Sequence, residues 1–124
     1  MKYEDIKGLN VKKGLSVVAN NKKLYIKLLG SFVSNAFCEQ LLDAIKSGDS
    51  GQILRKAHSL KGVAGNMHMN GLYETSRIIE TGVKGGVTYR MSDEIVSRLL
   101  NEYRQTLESV NMLIQNPEIL DKLE

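Results

Sequence analysis

Apolar and polar residues alternate along this chain with the period of an amphipathic α-helix. The clearest case follows residue 92, where apolar side chains recur in steps of three and four residues and so fall on one face of a helix. Ser92 is the predicted N-cap, and Asp93 and Glu94 carry negative charge favourable in a first helical turn. The apolar positions of this long helix are Val96, Leu99, Tyr103, Leu107, Val110 and Ile114.

The same periodicity predicts five earlier helices. They cover residues 11–19, 22–34, 37–47, 51–69 and 72–81. Asn10 is the predicted N-cap of the first helix, and residues 83–91 are predicted to form a loop. In the second helix the predicted apolar side comprises Leu24, Leu28, Leu29, Phe32 and Val33.

Short turns between successive helices favour antiparallel neighbours. Pro117 is the only proline, so almost nothing in the chain obstructs helix formation. No repeat, linker or low-complexity segment divides the chain. The predicted fold is therefore all-α: one domain over residues 1–124, an antiparallel four-helix bundle with a short extra N-terminal helix.

Composition narrows the classes of function. The 124 residues are 42% hydrophobic and 25% charged, as in an ordinary globular domain. No apolar run approaches the roughly 20 residues that span a bilayer, and the N-terminus lacks a signal-peptide pattern, so we expect a cytoplasmic monomer without direct membrane contact. The net charge of +3 is spread along the chain, which argues against nucleic acid as a partner. One cysteine, Cys38, and two histidines are too few for structural zinc, and Cys38 is predicted to be a buried apolar residue.

The fourth predicted helix carries an unusual exposed face. Its core positions, spaced four and three residues apart, point His58 away from the bundle; they are Ile53, Ala57, Leu60, Ala64 and Met67. Gly62 and Gly65 share the face of His58, with Lys61 on its flank. A glycine inside a helix costs about 1 kcal/mol relative to alanine, so two of them here suggest a bare surface against which a partner can press.

An exposed neutral imidazole is a competent nucleophile. The chain lacks the glycine-rich loops that bind nucleotide phosphates, and its pattern places no general base beside His58. We therefore expect His58 to receive and give a phosphoryl group by using the catalytic machinery of a partner.

Residues 57–66, Ala-His-Ser-Leu-Lys-Gly-Val-Ala-Gly-Asn, closely resemble the signature of histidine-containing phosphotransfer (HPt) domains of multistep two-component phosphorelays. The resemblance extends over about residues 8–115 and includes the Gly48-Asp49 turn, Leu72 and the acidic Glu80. The run Met67-His68-Met69 departs from the family, which has small residues at the last two positions.

By this resemblance, His58 is the phosphorylated residue and Lys61 neutralises phosphoryl charge. Gly62 and Gly65 are the small residues that admit a receiver domain. The implied partners are receiver domains of a hybrid sensor kinase and of a response regulator. The chain itself would be no enzyme and hold no metal or cofactor, since Mg²⁺ would be supplied by the receiver, and it would be either free-standing or part of a hybrid histidine kinase.

Two other functions compete with this one. A degenerate HPt-like adaptor would bind partners without phosphorylation, and a basic bundle would bind nucleic acid with strong salt dependence. The intact histidine and its neighbours favour the phosphocarrier over both. His68, ten residues further along the chain, is predicted to be structural.

Overall fold

A computed structural model describes residues 1–124, and every regular element in it is helical. Short 3-10 turns at Tyr3–Asp5 and Pro117–Asp121 flank the helices. No helix combines the length and apolar character needed to cross a membrane. The six α-helices are α1 (Val11–Val17), α2 (Lys22–Asn35), α3 (Phe37–Ser47), α4 (Ser50–Asn66), α5 (Asn70–Lys84) and α6 (Glu94–Gln115).

The helices form a closed bundle. Helix α3 packs on α4, α4 on α5, α5 on α6, and α6 on α2. Only Ala36, in a left-handed conformation, separates α2 from α3, so these two helices act as one bent member of a four-member bundle. The short α1 packs on α2 at the N-terminal end, and the predicted fold class is confirmed.

The N-terminal segment is fastened to α6 by side-chain hydrogen bonds. The Thr106 hydroxyl donates to the carbonyl of Gly8 at 3.1 Å, and the Ser109 hydroxyl donates to that of Lys7 at 2.6 Å. These two hydroxyls lie on the buried side of α6. They satisfy backbone carbonyls that the short N-terminal elements leave without partners.

Helix α4 has its predicted orientation. Its five predicted core positions, Ile53, Ala57, Leu60, Ala64 and Met67, are all buried. They pack into one continuous core with residues from the other helices. The opposite side of α4, which includes His58, faces solvent.

The predicted apolar side of α2 is partly wrong. Leu29 and Phe32 are buried, but Leu24 and Leu28 are 39% and 37% exposed, and Tyr25 occupies the core instead. The predicted apolar stripe begins at Leu24 and the observed one begins at Tyr25. The two are offset by one residue, which is about 100° around the helix. The Tyr25 ring packs where α1 has Gly14, whose missing side chain leaves room for it.

The connection between α4 and α5 is tighter than predicted. Helix α4 ends at Asn66 rather than at residue 69, because His68 takes a left-handed conformation with φ of 55°. The Met69 N–H donates to the Ala64 carbonyl at 2.9 Å, and the His68 N–H donates to the Gly65 carbonyl at 3.3 Å. This pair of bonds is a Schellman motif, and it buries Met69 completely.

Other helix boundaries also differ from prediction. Helix α1 stops at Val17, and α5 begins at Asn70 and continues to Lys84. The N-cap of α6 is Asp93 rather than Ser92, and its carboxylate accepts from the backbone N–H of Arg90 in the preceding turn instead of capping the helix.

Candidate functional site

His58 lies in the middle of α4 and projects into solvent, with 72% of its side chain exposed. The sequence pattern predicts this exposure, which follows from the buried arc on the other side of the helix. Its Nδ1 atom lies 2.8 Å from Oε2 of Glu80 on α5. No partner lies within hydrogen-bonding distance of its Nε2 atom.

Glu80 is the site residue that the sequence pattern failed to connect with His58. A carboxylate nonetheless lies beside His58, because antiparallel packing of α4 and α5 brings Glu80 to the imidazole. The buried side of α5 contains Leu72, Thr75, Ser76, Ile79 and Glu80. A carboxylate on a buried stripe needs a partner, and that pattern is the signal that could have revealed the pairing.

Glu80 also binds two lysines. Its Oε1 atom accepts a hydrogen bond from Lys61 at 2.8 Å and another from Lys84 at 3.3 Å. Only 6% of the Glu80 side chain is exposed. The hydrogen bond from Lys61, with further ones from His58 and Lys84, lowers the pKa of Glu80 to about 2, so this carboxylate is ionised at neutral pH.

The two glycines differ in their surroundings. A Cβ atom added at Gly62 would meet nothing within 4 Å, which agrees with the open surface predicted one turn beyond His58. A Cβ atom added at Gly65 would lie 3.3 Å from the Tyr73 ring. The surface at Gly65 is therefore less open than the surface at Gly62, since an aromatic side chain of α5 lies beside it.

The other predicted residues lie apart from this cluster. His68 belongs to the turn after α4, where its carbonyl accepts from the Asn10 N–H at 3.0 Å. Cys38 is buried, as predicted. No three His, Cys, Asp or Glu side chains are grouped so as to hold a metal ion.

Fold and site together define a small helical domain that presents one histidine to solvent. The Hpt domain model matches residues 33–111, well over half of the chain, and this protein belongs to that family. Hpt domains are phosphocarriers of two-component signalling that interact with receiver domains. The match contains α3, α4 and α5, and thus every residue of the His58–Glu80 cluster. Searches of curated proteins and of solved structures gave no significant match.

Proposed function

We propose that this protein accepts a phosphoryl group on His58 from the aspartate of one receiver domain and passes it to another. The observation that carries the proposal is the difference between the two ring nitrogens of His58. Its Nδ1 atom is engaged by the buried Glu80, its Nε2 atom has no partner, and the adjacent turn is open at Gly62.

The Glu80 carboxylate selects the tautomer of His58. An ionised carboxylate only accepts hydrogen bonds, so Nδ1 carries the proton and donates it. The lone pair is then on Nε2, the exposed nitrogen. This is the arrangement by which a buried carboxylate orients a reactive histidine in other active sites.

The transfer needs no proton acceptor on this chain. The Nε2 lone pair forms the N–P bond while the P–O bond of the aspartyl phosphate breaks, and the aspartate leaves with the bonding electrons. The ring keeps its Nδ1 proton and becomes positively charged. Glu80, 2.8 Å from Nδ1, stabilises that charge, so its role is orientation and charge compensation rather than proton abstraction.

Lys61 supplies positive charge at the flank of the same site. It is bound to Glu80 and prevents the carboxylate from presenting a net negative charge to an incoming phosphoryl group. The partners are receiver domains of a hybrid sensor kinase and of a response regulator. Mg²⁺ belongs to the receiver, and this chain contributes no cofactor.

The test is transfer from a phosphorylated receiver domain to the purified protein. We expect an acid-labile, base-stable label that disappears in His58→Gln and persists in His68→Gln, the matched control. His58→Gln keeps an amide that can donate to Glu80, so its melting temperature should remain close to that of the wild type. An unlabelled wild-type protein that still binds the receiver would instead indicate the adaptor function.

A further inference from the structure

His58 borders a shallow depression on the surface between α4 and α5. It has a volume of about 400 Å³ and is lined by Leu54, Arg55, His58, Ser59, Glu80 and Lys84. The lining residues come from residues 54–59 of α4 and the last turns of α5. Lys61, one turn beyond His58 in the other direction, does not line it.

Lys61 is held in an ion pair with Glu80. Its side chain is 26% exposed, and its Nζ atom lies 2.8 Å from a carboxylate that is itself only 6% exposed. Withdrawing Lys61 would leave that buried charge with weaker compensation, which is costly. The lysine is thus held on the side of His58 away from the depression.

Arg55 and Lys84 can bind an additional anion beside His58, whereas Lys61 is held by Glu80. Arg55 is exposed and makes no ion pair. Its guanidinium lies beside Gly51 and must turn toward His58 to reach an anion there. Lys84 is 62% exposed, and its 3.3 Å contact is with the Glu80 oxygen that Lys61 already binds more closely. A flexible lysine can leave such a shared contact at little cost.

We propose that Arg55 and Lys84, rather than Lys61, form the direct ion pairs with the phosphoryl group on Nε2 of His58. This inference rests on the proposed function and deepens it. A phosphoryl group carries close to two negative charges, and the guanidinium of Arg55 can bind two of its oxygens at once. Lys61 then acts through Glu80 as a positioning residue.

The first experiment uses wild-type protein phosphorylated with phosphoramidate. Lysine reactivity toward acetic anhydride is compared by mass spectrometry before and after phosphorylation. We expect the acetylation rate of Lys84 to fall about threefold or more on phosphorylation, because an ion-paired ammonium gives up its proton less readily. Lys23, an exposed lysine on α2, is the internal control and should not change. An unchanged Lys84 rate in fully phosphorylated protein would overturn the proposal.

The second experiment measures the pKa of the phosphoryl group by ³¹P NMR titration. Arg55→Gln and Lys84→Gln should each raise it by about 0.5, Arg55→Lys should restore part of the effect, and Lys23→Gln should leave it unchanged. Equal pKa values in Arg55→Gln and Lys23→Gln would exclude the arginine contact. Absence of any phosphohistidine signal that depends on His58 would instead contradict the proposed function, so the two failures are distinguishable.

Discussion

The Nδ1 atom of His58 and the Oε2 atom of Glu80 lie 2.8 Å apart, although the histidine side chain is 72% exposed and the glutamate only 6%. An exposed side chain on a helix normally samples several rotamers. Here a buried acceptor on the neighbouring helix restricts the imidazole and selects its tautomer. The Nε2 atom therefore faces solvent in a defined orientation without being buried.

Replacing Glu80 should slow phosphorylation of His58 even when the donor is small. We expect Glu80→Ala to lower the rate with phosphoramidate about 10-fold or more. About 10-fold is the smaller effect seen when a group that orients a metal-binding histidine is removed. Glu80→Gln should lower the rate by less, because its amide oxygen can still accept a hydrogen bond from Nδ1–H of His58. The initial rate of labelling at pH 7 provides the measurement.

Glu74→Gln is the matched control for that comparison. Glu74 lies on α5 and pairs only with Arg77 at the surface, so its loss should leave the labelling rate unaltered. A wild-type rate in Glu80→Ala would mean that the hydrogen bond to His58 has no kinetic role.

The low pKa of Glu80 makes a specific prediction about stability and pH. Its pKa falls from an ordinary 4.5 to about 2 in the folded protein, so the ionised form favours folding. This stabilisation is complete above pH 4.5 and is lost as the pH falls through 2. The free energy of unfolding of the wild type should therefore exceed that of Glu80→Gln by more at pH 6 than at pH 2.5. Urea titrations at both pH values test this, and an equal difference would show that the ion pairs do not stabilise the fold.

Much of the fold could be predicted because the hydrophobic periodicity is strong in most helices. In α4 all five predicted core positions are buried, since no competing stripe exists there. In α2 two stripes lie one residue apart, and contact between Tyr25 and Gly14 of another helix decides between them. Helical periodicity contains no information about such a partner.

The site was only half predictable for the same reason. His58 and the open surface at Gly62 follow from α4 alone. Glu80 and Tyr73 come from α5, and their places beside His58 and Gly65 depend on the register between the two helices. That register is determined by the turn at His68, whose left-handed conformation is unusual for a residue other than glycine.

Glycine in place of His68 should relieve the backbone strain of the turn and stabilise the fold. A left-handed conformation costs a non-glycine residue roughly 1–2 kcal/mol, partly offset by the greater freedom of glycine in the unfolded chain. His68→Gly should therefore raise the free energy of unfolding by up to about 1 kcal/mol. Asn66→Gly, in the helical last turn of α4, should instead lower it by a few tenths of a kcal/mol, roughly the difference in helix propensity between asparagine and glycine. Urea denaturation of both variants tests the contrast, and destabilisation by His68→Gly would mean that contacts of the imidazole outweigh the backbone strain.

The two glycines of α4 should respond differently to alanine. Gly62→Ala should raise the free energy of unfolding by about 1 kcal/mol, because the added methyl group meets nothing within 4 Å. Gly65→Ala should raise the free energy of unfolding by less, since its methyl group would lie 3.3 Å from the Tyr73 ring and the ring must move. Thermal or urea denaturation measures both, and an equal gain would show that the ring moves freely.

A longer side chain at Gly62 should separate access from chemistry. Gly62→Gln fits the open surface and should fold at least as stably as the wild type. Phosphotransfer from a receiver domain requires reacting atoms about 3–3.5 Å apart, and a displacement of about 1 Å can cost roughly 100-fold in rate. We therefore expect transfer from a phosphorylated receiver to fall at least about 10-fold, while phosphoramidate, which needs far less room, still labels His58. If the receiver transfers to this variant at the wild-type rate, docking does not use the surface at Gly62; if both donors fail alike, the substitution has disturbed the imidazole itself.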